Sequence, residues 1–285
     1  MEAASDKPRF WTACRPVLGF GACLFVIGVG LSLLALLLRD IRLLPWLDGL
    51  SWWRIFRRCV SLAAALTLWF VVCKSTSRTL RSYGFSAPKA GKRQFQFGVL
   101  LGLGVVALLL GTLVLTGACR WEVIPDRIKL WRVVLTFIPA AVLVGVLEEL
   151  TFRGVILQHL LRYSTSLAVL ASSTLYALVH MKTIAFTRSS GMELVGLFLL
   201  GGVLAISFLQ TQQLYFAVGL HAALAYGARV NKLFVDFSND SMAWLVGTSR
   251  LTNGLINWVM LVILGGVIVW WGRSLRSKEV RNGTR

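Results

Sequence analysis

Apolar residues fall along this chain in long, nearly uninterrupted runs, without the alternation or the i, i+3, i+4 stripes of half-buried soluble elements. A window near 20 residues matches the length needed to cross about 30 Å of hydrocarbon. It draws eight spans, at 17–38, 56–73, 97–119, 138–161, 167–183, 193–210, 213–230 and 254–272. Polar and charged residues collect between them. The pattern predicts an all-α fold, a polytopic transmembrane helix bundle of about eight spans. A single transmembrane domain covers 17–272, between an N-terminal tail (1–16) and a basic C-terminal tail (273–285). The first run follows Lys7, Arg9 and Arg15, as a signal peptide would. It is 22 residues long, and no small-x-small site precedes Arg39, so it reads as a retained span.

Composition agrees with the pattern. At 56% hydrophobic and 15% charged residues, the chain is too apolar for an ordinary soluble domain. Its formal net charge of +18 raises the question of a nucleic-acid partner. The basic residues, however, sit between apolar runs, as loop charges facing anionic lipid do. The lipid bilayer is therefore the expected partner, and nucleic acid is not. Trp46, Trp52 and Trp53 beside Arg54, Arg57 and Arg58 predict an interfacial segment, and the basic stretch from Lys74 to Arg93, with Pro88-Lys-Ala-Gly-Lys92, predicts an exposed loop. Eight spans put both termini on one side, which carries 16 of the Lys and Arg residues against 14 on the other. A multi-pass protein of the cell membrane with cytoplasmic termini is the expectation. The five cysteines form no CxxC pair and indicate neither a disulfide framework nor a cysteine metal site.

Against this background three charges stand out. Glu148, Glu149 and Arg153 lie within the apolar run Phe137–Leu161. Unpaired at the centre of a membrane helix, they would cost roughly 8–10 kcal/mol together. Residues four apart share a helix face, so Glu149 and Arg153 should pair. Glu148 then points about 100° away and has no partner from its own motif. Gly145 and Gly154 offer small surfaces for a neighbouring helix. Two histidines lie at comparable depth. His180 shares a stripe with Tyr176 and Ser173. His221 sits among Gly219, Ala222, Ala223 and Ala225, which permit close packing. Taking the fourth span to start near Ile138, with Pro139 in its first turn, puts Glu148, His180 and His221 within roughly 5 Å of the midplane. His159, near the end of its span, reads as interfacial. A carboxylate free to take a proton, two imidazoles and a buried water suffice for hydrolysis. No metal is expected, since HExxH is absent and Arg153 engages Glu149. Zinc is the alternative cofactor, and His180, His221 and Glu148 would be its ligands.

These residues resemble the motifs of the CAAX protease and bacteriocin-processing family (CPBP, or Abi) of intramembrane proteases, which includes the Ras-converting CAAX prenyl endopeptidase. Glu148-Glu149-Leu-Thr-Phe-Arg153 is similar to its EExxxR motif. Tyr176-Ala-Leu-Val-His180 is similar to its aromatic-xxx-His motif, with Tyr where Phe is usual. His221 in Gly219-Leu-His-Ala-Ala resembles the third. The family-like core covers about 137–230. The resemblance implies an intramembrane endopeptidase of the glutamate type, formerly called a metalloprotease, acting on a membrane-associated protein or peptide. In it Glu148 activates water, His180 assists, and His221 binds or polarises the scissile carbonyl. Glu149, Arg153 and Tyr176 give structural support. One position departs from the pattern: Ala225 stands where the family has Asn or Asp, four residues after the last histidine. Losing one oxyanion donor costs about 10²–10³ in rate. Tyr176, Tyr226 and Asn257 are the candidate substitutes, and Asn231 lies about 15 Å further along the helix. Ala225 keeps a second reading open, in which a catalytically weak or inactive relative serves as an immunity factor or scaffold. Prenylated proteins, bacteriocin precursors and sorting-anchor proteins are the substrate classes the family suggests.

Overall fold

The computed structural model describes residues 10–74, 79–86, 88–181, 187–237 and 242–281. The bundle is built from α1 (Phe10–Asp40), α2 (Trp52–Lys74), α3 (Pro88–Leu115), α4 (Arg127–Glu149), α5 (Gln158–Leu161), α6 (Thr165–Val179), α7 (Arg188–Thr211), α8 (Leu214–Val230), the short α9 (Ala243–Val246) and α10 (Leu255–Arg281). A π-helical stretch, Leu150–Leu157, joins α4 to α5 without a break. Two-residue strands β1 (Arg120–Trp121) and β2 (Val235–Asp236) pair antiparallel at one end of the bundle. The all-α expectation holds.

The helices fall where the eight spans were drawn. Among the described residues five helices are long and apolar enough to cross a membrane: Phe10–Asp40, Lys89–Leu115, Arg127–Leu161, Arg188–Thr211 and Leu255–Ser274. Two of the other helices are shorter. α6 has 15 residues, about 22 Å at 1.5 Å per residue, and α8 has 17, about 26 Å. Both fall short of a hydrocarbon core of about 30 Å. α2 has 23 residues, with Arg54, Arg57 and Arg58 in its first two turns.

Three boundaries also move. The fourth helix starts at Arg127, capped by the Asp126 carboxylate accepting from the Lys129 N–H at 2.8 Å, and Pro139 lies inside it instead of in its first turn. Pro88 to Lys92, expected in a loop, forms the opening turns of α3, with Pro88 at the first helical position, where its missing N–H costs nothing. The fifth helix stops at Val179, with His180 as its C-cap, instead of running to 183. Residues 182–183 of that expected span, residues 75–78 and 87 of the expected loop, and the tails over 1–9 and 282–285 lie outside the described residues.

Close backbone approach sets the position of α8. A Cβ on Gly98 or Gly102 of α3 would run into Phe216 and Ala223 of α8, and one on Gly219 or Gly227 of α8 would run into Phe95 and Val106 of α3. On the α4 side, the Gly145 position lies against Val218 and Ala222 of α8. Glycines thus let α8 wedge between α3 and α4, the small-residue packing of membrane helices. Gly201 makes the same approach between α7 and Ser173 of α6. The main core cluster gathers around this junction, including Leu157, Tyr176, Leu204, Phe216 and Leu220.

Candidate active site

Four elements deliver the polar groups to one place. Glu148 and Glu149 end α4, Arg153 lies one turn on in the π-helical stretch, His180 caps α6, and His221 comes from the middle of α8. Arg153 and Glu149 are each 0% exposed and paired, Nη1 to Oε1, at 2.9 Å. Nη2 donates to the Gly201 carbonyl of α7 at 2.7 Å. The guanidinium carbon lies 5.1 Å from the Tyr176 ring centroid and 5.8 Å from that of Phe152. A buried guanidinium is tolerable with a carboxylate, a carbonyl and two aromatic rings as partners.

The i, i+4 pairing of Glu149 with Arg153 is as the spacing predicts. The sequence reading missed a second partner: Glu149 Oε1 also accepts from His221 Nδ1 at 2.7 Å. That contact joins residues 72 apart in the chain, and no local spacing could have signalled it.

Glu148 is the residue left over by that pairing. Its side chain is 26% exposed, and its Oε2 lies 3.3 Å from His180 Nε2 and 3.5 Å from His221 Nε2. The chain therefore brings Glu148, His180 and His221 together, although α4 starts at Arg127 and not at the Ile138 from which their depths were reckoned. His180 Nδ1 lies 2.8 Å from the Tyr176 carbonyl. A carbonyl only accepts, so this nitrogen carries a hydrogen, and Nε2 is the atom turned to Glu148. The Glu149 carboxylate fixes His221 in the same way. Both imidazoles thus present Nε2 to one carboxylate oxygen. Tyr176 is 2% exposed and packs its ring 4.4 Å from that of His180. It lines the same cavity as Glu148.

A cavity of about 250 Å³ opens onto this cluster. Glu148, Tyr176, His180 and His221 line it, and its walls are mostly apolar, with Val106, Leu197, Leu200, Leu224, Met260 and Leu261 among them. Arg250, ion-paired with Glu193, and Lys232 also line it. Ala225 lines it with a methyl group. Of the candidate substitutes for an amide there, Tyr226 Oη donates to the Val134 carbonyl at 3.2 Å. Asn231 Nδ2 donates to the Gly227 and Ser249 carbonyls at 3.0 and 2.9 Å. Asn257 Nδ2 donates to the Asn253 and Val246 carbonyls at 2.5 and 3.4 Å. Tyr176, the remaining candidate, lines the cavity. His159 stays apart, with Nδ1 on the Val155 carbonyl at 2.7 Å. Among the described residues no group of three or more His, Cys, Asp and Glu side chains is arranged to hold a metal ion.

Residues 130–226 match the family model for type II CAAX prenyl endopeptidase, Rce1-like. The matched stretch runs from α4 to α8 and contains every polar residue of the cluster just described. That likeness supports a CAAX-type protease in general, with a peptide substrate and a membrane environment. No curated protein matches the chain.

Proposed function

We propose that this protein is a CAAX-type intramembrane endopeptidase of the glutamate type, in which Glu148 activates water. The observation that carries the reading is the convergence of two imidazole Nε2 atoms on Glu148 Oε2 at the end of an apolar cavity. With both glutamates and Arg153 ionised, the cluster has a net charge of −1. One proton held between Glu148 Oε2 and the facing Nε2 of His180 or His221 makes it neutral, which burial favours. Both Nδ1 atoms are committed as donors, so the mobile proton stays on the side that faces the substrate.

Hydrolysis then follows in two transfers. Glu148 takes a proton from a water as its oxygen attacks the scissile carbonyl. The same proton, passed by Glu148 or His180, goes to the departing amine nitrogen as the C–N bond breaks. His221, held by Glu149, and the Tyr176 hydroxyl provide hydrogen-bonding groups near the developing oxyanion. The mostly apolar walls suit an apolar peptide segment or lipid-modified substrate. Prenylated C-terminal peptides, bacteriocin precursors and sorting-anchor proteins are the classes to assay.

The test uses the full chain purified and reconstituted in vesicles, with a farnesylated C-terminal peptide, its unprenylated form and an apolar membrane peptide as probes. Glu148→Gln and His180→Ala, at equal expression and with unchanged melting temperature, each lower the cleavage rate by about 10²–10⁴. Full activity in both variants would sink the proposal. Ala225 favours a second reading, a membrane scaffold or immunity factor that retains the cluster without turnover. That reading expects no cleavage of any probe by the wild type and a function unaffected by Glu148→Gln. Zinc content per chain and chelator sensitivity decide the metal question, and stoichiometric zinc whose removal abolishes cleavage would replace Glu148 as sole activator.

A further inference from the structure

A second recess of about 250 Å³ lies away from the cluster, at the end of the bundle where α5 turns into α6 and α7 into α8. Arg81, Ser82, Gln158, Arg162 and Gln212 line it, and among its described lining residues there is no carboxylate. Two guanidiniums therefore face one polar hole with no acid on its wall. The recess is framed in advance. Gln158 Nε2 donates to the Tyr83 carbonyl at 3.0 Å, and the Leu214 N–H donates to the Gly84 carbonyl at 3.0 Å. Gly84 holds the turn at φ 110°, a conformation that favours glycine. Leu161 and Phe208 are the apolar members of the lining.

Its place decides the kind of anion. The neighbours in sequence, Leu80 and Tyr163, are exposed, and Phe10 of α1 packs its ring 5.4 Å from Tyr163. The recess thus opens at a helix-end layer rimmed by apolar and aromatic side chains, the level of lipid headgroups. Paired guanidiniums recognise phosphate oxygens bidentately, and basic pockets between membrane helices take anionic headgroups. We infer that this recess binds the phosphate of an anionic phospholipid, with Arg81 and Arg162 on its oxygens and Ser82, Gln158 and Gln212 around the ester. The site is separate from the proposed protease chemistry and does not depend on it.

The full chain is purified in neutral detergent, stripped of lipid, and melted with phosphatidylglycerol, phosphatidylcholine or inorganic phosphate. Phosphatidylglycerol at about tenfold its dissociation constant raises the melting temperature by about 3–5 °C. Phosphatidylcholine does not. Arg81→Gln/Arg162→Gln melts normally in detergent alone and loses most of that shift, together with co-purifying phosphatidylglycerol counted by native mass spectrometry. Lys92→Gln/Arg93→Gln removes the same charge outside the recess and keeps the shift. Equal shifts from both lipids, an unchanged shift in the Arg81/Arg162 variant, or an equal loss in the Lys92/Arg93 variant each overturn the inference. A shift from inorganic phosphate as large as that from phosphatidylglycerol overturns the lipid assignment, with free phosphate as the ligand.

Discussion

At the residue scale the three charges of the Glu-Glu-Arg motif have separate surroundings. Glu149 is fully buried and bridges Arg153 to His221. Glu148 is partly exposed and faces two Nε2 atoms. Removing one partner of a buried pair costs about 3–5 kcal/mol, because the other charge stays buried. Glu149→Gln is therefore expected to lower the melting temperature strongly, while Glu148→Gln leaves it nearly unchanged. Replacing both partners, Glu149→Gln with Arg153→Met, should recover part of the loss, and a double-mutant cycle on thermal melts measures it. Tyr176→Phe keeps the ring packed against His180 and removes only the hydroxyl. On the proposed mechanism it lowers kcat by about 10²–10³ with KM little changed, and Ala225→Asn on that background restores part of the rate.

At the element scale the glycine contacts decide where His221 stands. Valine at Gly98 or Gly219 would push α8 off α3 and carry His221 with it. Each substitution is expected to cost about 1–3 kcal/mol by overpacking, seen in thermal melts, and to lower cleavage further than the stability loss explains. The sequence made much of this legible. Long apolar runs located the helices, i, i+4 spacing gave the Glu149–Arg153 pair, and small residues around His221 marked a tight contact. What stayed hidden was tertiary or subtle. The partner helix of α8, the Glu149–His221 bond and the Arg153 bond to the Gly201 carbonyl all join distant segments. The π-helical stretch carries no residue pattern that separates it from α, although such stretches gather at functional sites. Pro88 misled because a proline before a basic run reads equally as a loop or as a helix start.

At the scale of the whole molecule the apolar runs mark the helices but do not say which of them face lipid. α8 shows why: Ala217, Leu220 and Phe216 are each 0% exposed, so its apolar surface is spent on neighbouring helices. An apolar run does not distinguish a buried helix from a lipid-facing one. Contacts between Phe10 and Tyr163 and between Gly272 and Gln210 bring the start of α1 and the latter part of α10 to the end of the bundle that holds the α5–α6 and α7–α8 turns. Reporter tags on the N and C termini should accordingly be accessible from the same side of the membrane, and opposite accessibility would contradict this arrangement. The most direct test of the central claim is the single-turnover rate of peptide cleavage by the reconstituted chain and by Glu148→Gln. The account expects the substitution to slow bond cleavage by about 10²–10⁴ with substrate binding and melting temperature preserved. An equal rate in the two proteins would contradict it.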